Sequence, residues 1–196
     1  MQPNPALCVL ACGRGNLSGM TDNELAARYR EGDVDAFTTL YERHKDVFYT
    51  YLRNRAPEEA DDIFQEAYMK FAEAISKREI AHPRAYLYTI GLNLIRNLGR
   101  RKPTVALDEL EELADDTATV PDLDIEVEQE ALREAMALLA VNRPAFYDVL
   151  HLRVFEELSF DNVAATLKRN RNTVTAQYRY ALRHLRRYIE EIHDRG

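Results

Sequence analysis

From Thr21 onward the chain reads as a succession of amphipathic helices. Apolar residues recur at three-to-four spacing, which lines one face of an α-helix, and nothing alternates with period two over a useful length. Thr21-Asp22-Asn23-Glu24 has the form of a capping box, so a first helix over 21–31 starts there and stops at Gly32. Over 34–54 the stripe is Phe37, Leu40, Tyr41, Phe48 and Leu52. Pro57 is expected in the first turn of a helix over 57–76, because proline lacks the N–H that a first turn leaves unused. That helix has Phe64, Tyr68, Phe71 and Ile75 on one face and Asp61, Asp62, Gln65, Glu66 and Glu73 on the other. Pro83 starts a helix over 83–99, closed by Arg100-Arg101-Lys102-Pro103.

Residues 104–127 contain Pro121, many acids and few large apolar side chains, a linker composition, although Leu107, Leu110 and Leu113 fit one helical turn. Helices over 128–140, 144–155 (with Pro144 in its first turn), 160–168 and 171–193 follow. The expected fold class is all-α: two small helical domains, 20–103 and 128–196, joined by an acidic linker at 104–127. Proteolysis is expected to cut first in that linker, which buries too little apolar surface to fix an orientation unaided. Residues 1–19 match nothing downstream in style and are expected to be a disordered tail, or sequence upstream of a natural start at Met20. Val9-Leu10-Ala11-Cys12 superficially resembles a lipoprotein cleavage box, but no Lys or Arg precedes its short apolar stretch.

The last two helices have helix-turn-helix form. Ser159 caps the first, whose apolar residues are Phe160, Val163, Ala164 and Leu167. Lys168-Arg169-Asn170 makes the turn, with Asn170 as cap of the second. Val174, Tyr178, Leu182 and Leu185 define the buried face of that second helix, with Ala181 beside them. The opposite face is then Arg171, Asn172, Thr175, Ala176, Arg179, Tyr180 and Arg183. Short polar groups and guanidinium forks on one helix face suit major-groove edges and phosphates.

Charge sharpens this picture. The 196 residues carry 26 Lys+Arg and 33 Asp+Glu, a net charge of −7. Eleven of the acids fall within 104–130, which holds no Lys or Arg, so the remainder is 26 − 22 = +4. Residues 83–102 hold five basic residues and no acid, and residues 168–187 hold seven and no acid. Two basic patches on an acidic protein point to two surfaces for a polyanion. No apolar run reaches the roughly 18–20 residues of a membrane span. Two cysteines cannot build a disulfide scaffold or a four-cysteine zinc site, so no metal and no cofactor is expected.

The stretch Asn142-Arg143-Pro144 through Leu185 resembles the promoter-binding C-terminal domain of bacterial sigma factors. The segment from Asp35-Ala36-Phe37 through Arg101-Lys102 resembles their N-terminal core domain, and the order and short linker are those of the extracytoplasmic-function (ECF) group. The resemblance spans roughly residues 21–190 and needs two unrelated motif sets in one order. It implies that Asp61, Asp62, Gln65 and Glu66, matching an acidic D-D-x-x-Q-E patch, dock on the beta-prime clamp helices of RNA polymerase. Arg84, Tyr86, Tyr88, Asn93, Arg96, Arg100 and Arg101 fall where the minus-ten element is opened and read, and aromatics interleaved with bases suit capture of unstacked bases. One of Tyr86 and Tyr88 is expected to be core. The resemblance further implies that 20–103 is the polymerase-binding and minus-ten domain. It makes 128–196 the minus-thirty-five-binding domain, reading with Arg171, Asn172, Thr175, Ala176, Arg179, Tyr180 and Arg183.

The chain departs from the family pattern at several points. Lys168 and Asn172 stand where glycines are usual, which puts a side chain at a turn position that glycine tolerates better. Gln177 replaces a frequent Arg, Tyr86 a usual Trp, and Thr89 and Leu92 frequent arginines, while the loop 76–82 is short. Gln177 and Arg183 are expected toward the DNA backbone, and Arg179 toward the bases.

The implied function is a non-enzymatic cytoplasmic initiation factor. Its partners would be core RNA polymerase (beta-prime clamp and beta flap), promoter DNA and an anti-sigma factor. A stand-alone helix-turn-helix regulator would need neither the 61–66 patch nor a second basic-aromatic patch. A carboxylate metal enzyme built in a helical bundle needs two Glu-x-x-His pairs plus two more glutamates, against which Glu190-x-x-His193 offers little. No phosphate-binding loop or nucleophile elbow is present.

Overall fold

Helix boundaries follow local signals that compete with one another. A computed structural model describes residues 17–101 and 129–195, and within them the chain is helical, with no strand. Eight α-helices run in order: α1 (Asp22–Arg30), α2 (Val34–Arg55), α3 (Ala60–Lys77), α4 (Pro83–Arg101), α5 (Gln129–Asn142), α6 (Pro144–Val154), α7 (Phe160–Leu167) and α8 (Arg171–His193). The expected all-α class holds. The capping box of α1 is complete: the Glu24 amide donates to Thr21 Oγ1 at 3.3 Å and the Thr21 amide donates to Glu24 Oε2 at 2.7 Å. Asp33, Ser159 and Asn170 cap α2, α7 and α8 through their side-chain oxygens.

Pro57 does not begin α3. It lies in the turn that ends α2, and α3 starts at Ala60. A proline disfavours helical backbone in the residue before it, and Ala56 accordingly leaves the helix at φ −150°, ψ 73°. The expected tail also shortens. Leu17–Gly19 forms a 3₁₀ turn, Leu17 and Met20 pack on the core, and the Ser18 carbonyl accepts from Arg43 Nη2 at 3.2 Å. The rest of the tail, with Cys8 and Cys12, and the linker 104–127 lie outside the described residues.

Helices α1–α4 enclose an aromatic core. The Phe48 ring is fully buried and meets Tyr88 edge-on at 5.0 Å and Tyr68 at 5.9 Å between centroids. Helices α5–α8 bury Phe146, Leu150, Val163, Leu167, Val174, Leu182 and Leu185, which seats α7 and α8 as the helix-turn-helix pair. The turn between those two has Lys168 at φ 56°, ψ 47°, the left-handed conformation expected where the family pattern has glycine. Its amide still donates to the Ala164 and Ala165 carbonyls, so the helix end is satisfied despite the side chain. The two helical groups face each other: α4 packs on α7 and α2 on α5.

Gly91 lets α4 approach α2. A Cβ at this position would stand 2.9 Å from Phe48 Cζ and 3.0 Å from Phe48 Cε2. Alanine normally stabilises a helix interior by about 1 kcal/mol relative to glycine. Here the fully buried ring has nowhere to move, so Gly91→Ala is expected to destabilise by about 1–2 kcal/mol. Urea denaturation of the variant measures this, and a gain in stability would show that the Phe48 ring yields.

Candidate nucleic-acid and polymerase interface

Three surfaces carry the candidate residues. The first is the outer face of α3. Asp61, Asp62, Gln65 and Glu66 are all exposed, as the stripe pattern requires. Asp61 Oδ1 accepts from the Tyr49 hydroxyl at 2.7 Å, and Glu66 pairs with Lys70 one turn on at 2.8 Å. Met69 lies on the same face, three and four residues beyond Glu66 and Gln65, and is 73% exposed. The sequence reading did not single it out. Its position off the apolar stripe was the available signal. An acidic rim around a bare thioether suits a basic partner that also presents apolar surface.

The second surface is the N-terminal half of α8. Arg171, Asn172, Arg179 and Arg183 are exposed, while Thr175, Ala176 and Tyr180 are half-buried. Arg171 Nε sits 3.1 Å from Asp161 Oδ1, which ties the start of α8 to α7. The Thr175 hydroxyl donates to the Arg171 carbonyl at 2.9 Å. The Tyr180 ring stacks on Phe146 at 6.1 Å, and the Arg183 guanidinium lies 5.2 Å over the Tyr180 ring. Arg179 projects from this face with no ion pair among the described residues. Gln177 does not face outward. It is buried, and its Oε1 accepts from Arg169 Nη1 at 2.7 Å, holding the turn. The expectation that it approaches the DNA backbone is therefore corrected: a glutamine can be buried at a position where an arginine cannot, provided a donor meets its amide oxygen. Tyr178, expected in the core, is half-buried, against Phe160 at 5.6 Å.

The third surface, on α4, is not a continuous exposed patch. Tyr86 is half-buried, and its hydroxyl accepts from Arg78 Nη2 at 2.8 Å. Tyr88 is the tyrosine that belongs to the core. It is fully buried, and its hydroxyl donates to Glu156 Oε1 at 2.6 Å and lies 3.1 Å from His151 Nε2. In this arrangement Tyr88 reaches no nucleic acid, which corrects its place among the contact residues. Arg84 Nη1 donates to the Glu156 carbonyl at 2.9 Å and Arg96 Nη2 to the Leu167 carbonyl at 3.3 Å. Asn93 is half-buried. Arg100 and Arg101 form the end of α4, and their side chains lie outside the described residues.

Between α1, α2, α4 and the α6–α7 connection lies a cleft of about 650 Å³. Asp22 and Glu156 reach it with Arg43, His44 and Arg84. Burial raises the Asp22 carboxyl, but hydrogen bonds from His44 and Arg43 and the nearby charges outweigh it and hold the pKa at about 2. Burial instead dominates at Glu156 and pushes its carboxyl up, against the Tyr88 hydrogen bond. Burial pushes His151 down to about 3, so its ring is neutral at physiological pH. Among the described residues no group of three or more His, Cys, Asp and Glu is placed to hold a metal ion. Of the Glu-x-x-His spacings, Glu190 to His193 ends α8, whereas Glu79 to His82 lies in the irregular connection between α3 and α4, so they do not form paired helical motifs. None of the described helices is long and apolar enough to cross a membrane.

Residues 40–103 match the sequence family Sigma-70 region 2, so the resemblance to sigma factors holds over this segment, which contains α3 and α4. In fold, the chain is similar to one in the structure of CnrH in complex with the cytosolic domain of CnrY. The TM-score is 0.56 at 21% identity, covering 89% of this chain and 98% of that one. A chain in the 1.8 Å structure of the RsbN–BldN complex aligns at 22% identity with a TM-score of 0.33, covering 83% of this chain and 97% of that one. No curated protein matches the chain in sequence.

The Asp22 cluster anchors α1 to α2, with Arg43 Nη1 at 2.7 Å and His44 Nε2 at 2.9 Å from its oxygens. A carboxyl whose pKa is lowered on folding contributes stability above its ordinary value of 3.8, and this contribution is lost as pH falls through about 2. Asp22→Asn should therefore be less stable than the parent by about 1 kcal/mol near neutral pH, after allowance for solvent screening. The gap should close between pH 3.8 and 2, where the parent loses the same charge. Urea titrations of both proteins across that range test this, and a gap independent of pH would remove the ionised carboxylate from the account.

Proposed function

We propose that this chain is a sigma factor of the ECF type, which recruits core RNA polymerase to promoters and takes part in opening them without enzymatic activity of its own. The observation that carries the reading is one pairing within one chain. Sigma-70 region 2 sequence at 40–103 brings an exposed acidic face on α3, and a separate helix-turn-helix pair presents an arginine-bearing face on α8. An acidic face alone would be an ordinary helix start, where the dipole favours carboxylates, and a basic helix alone would fit any DNA-binding protein. A stand-alone regulator accounts for α8 but not for the region 2 segment.

The roles divide by surface. Asp61, Asp62, Gln65 and Glu66, with Met69 among them, face the beta-prime clamp of the polymerase. Arg84, Tyr86, Asn93, Arg96, Arg100 and Arg101 serve the minus-ten element. Arg171, Asn172, Thr175, Ala176, Arg179, Tyr180 and Arg183 serve the minus-thirty-five element, and the beta flap is the polymerase element expected to hold the C-terminal domain. In this reading 20–103 and 128–196 are the two functional domains and 104–127 the linker. The protein works in the cytoplasm, where the polymerase is. CnrH was solved with the cytosolic domain of a second protein, which supports an anti-sigma factor as a further partner here.

The decisive experiment is runoff transcription with purified core polymerase on a set of candidate promoters, since a stand-alone regulator would give no sigma-dependent transcript. Docking is tested by Asp61→Lys combined with Asp62→Lys. Charge reversal on a face that carries no core packing should abolish co-purification with core polymerase and leave circular dichroism unchanged. Retention of the parent yield would place the docking surface elsewhere.

Promoter reading is tested at Arg179. It is four residues after Thr175 and eight after Arg171, so all three share one face of α8. If Arg179 forks onto a base edge, Arg179→Ala should cost roughly 1–3 kcal/mol and relax preference at one minus-thirty-five position. We expect this outcome, because Arg179 is exposed on the face that also carries Thr175 and Arg171. Holoenzyme binding to promoters randomised across that element, at two salt concentrations, separates the roles. An unchanged specificity profile with a salt slope lower by about one would make Arg179 a phosphate contact instead.

A further inference from the structure

Four methionines occur in the chain, and three of them lie within the described residues. They differ in how far solvent reaches the sulfur. Met136 on α5 is 5% exposed. Met20 is half-buried against the core, and Arg28 Nη1 donates to its sulfur at 3.9 Å, which occupies a lone pair. Met69 on α3 is 73% exposed and has no hydrogen bond or ring contact among the described residues. Its sulfur is therefore open to a solute, whereas the other two are covered or engaged.

The place of Met69 gives that exposure a consequence. Its neighbours three and four positions away on the same face include Gln65, Glu66 and Glu73, all exposed. Glu66 and Glu73 each close an ion pair along the helix, with Lys70 at 2.8 Å and Lys77 at 2.5 Å, which keeps charge on both flanks of the thioether. Asp61 and Asp62 add two carboxylates about two turns toward the start of α3. The face thus offers several oxygens to a basic partner but a single large exposed apolar side chain, and that side chain carries sulfur. An apolar group ringed by polar ones has the form of an interface anchor. The carboxylates also select the oxidant: they repel anions and do not repel a neutral hydroperoxide.

We propose that Met69 is a site of reversible oxidation by a neutral hydroperoxide, and that its sulfoxide weakens the docking of α3 on the polymerase. A sulfur lone pair attacks the terminal oxygen of the hydroperoxide. The S–O bond forms as the O–O bond breaks, and the bonding pair leaves with the distal oxygen. That oxygen takes up the proton of the transferred hydroxyl and departs as water, or as an alcohol from an organic hydroperoxide. Sulfur loses two electrons and the hydroperoxide gains them. A sulfoxide reductase supplied with a dithiol reverses the step, giving back the thioether with water and a disulfide. The sulfoxide is strongly dipolar and holds water, so burying it against a partner carries a desolvation cost that the thioether does not. The chemistry stands on exposure, and its effect on docking rests on the role proposed above for α3.

The test uses the full chain with Cys8→Ser and Cys12→Ser, so that thiols do not consume the oxidant. The chain alone is treated with hydrogen peroxide, catalase removes the excess, and untreated core polymerase is then added. Peptide mapping by mass spectrometry should find Met69 oxidised about tenfold faster than Met20 and Met136, with circular dichroism unchanged. Oxidation of all three at one rate would overturn the site. Affinity for core polymerase should fall about tenfold or more, and sulfoxide reductase with dithiothreitol should restore it. Met69→Leu keeps apolar bulk without sulfur, so peroxide should leave that variant at its own untreated affinity. An equal loss in treated Met69→Leu would assign the effect to another residue and overturn the proposal. A chain oxidised at Met69 that binds as tightly as the untreated one, while Asp61→Lys with Asp62→Lys does not bind, overturns the switch and keeps the docking face. If neither oxidation nor charge reversal changes the affinity, the docking face lies elsewhere and the switch falls with it.

Discussion

A buried carboxylate needs partners wherever the chain puts it, and Asp148 finds both of its partners on a helix nearly a hundred residues earlier. Tyr51 and Arg55 lie one turn apart on α2, so a single face of that helix delivers a hydroxyl and a guanidinium to the same oxygen. Neither group of helices satisfies these atoms alone. Burial and the charge of Asp148 both raise the Tyr51 hydroxyl well above its ordinary pKa, which keeps it a proton donor. Burial works against the Arg55 charge, but the Asp148 carboxylate more than compensates. The contacts of Tyr88, Arg84 and Arg96 with the C-terminal residues belong to the same packing as this pairing.

The helices were legible because their stripes are regular and their caps are made by side chains within three residues. Thr21, Ser159 and Asn170 act locally, and local signals survive in sequence. The left-handed Lys168 was legible as a departure from a glycine pattern, whereas the positive φ of Glu157 in the α6–α7 connection had no such signal. The start of α3 was misplaced because proline both starts helices and breaks the residue before it, and at Pro57 the second effect won.

The candidate surfaces were legible to the extent that they are single-helix faces. On α3 and α8, three-to-four spacing separates outward from inward residues, and the acidic and arginine-bearing faces emerge as expected. Gln177 fails that rule because its partner, Arg169, sits across a tight turn. On α4 the rule fails more widely. The Tyr88 hydroxyl and Arg84 Nη1 bond to residues 63 or more positions further along the chain, and no periodicity within α4 reports a partner on α6 or in the connection after it. A helix covered on two sides shows both faces as apolar or paired, so its stripe no longer tells which residues serve packing and which serve a ligand.

The exposure pattern orders events under the proposed function. The acidic face of α3 is open to solvent and its carboxylates need no rearrangement to meet a basic partner. Arg84 and Arg96 on α4 instead donate to the carbonyls of Glu156 and Leu167, so a new acceptor must take the place of an existing one. A basic partner on α3 therefore docks without disturbing the contacts of α4, whereas a ligand of α4 exchanges one set of oxygens for another and gains only the difference between them.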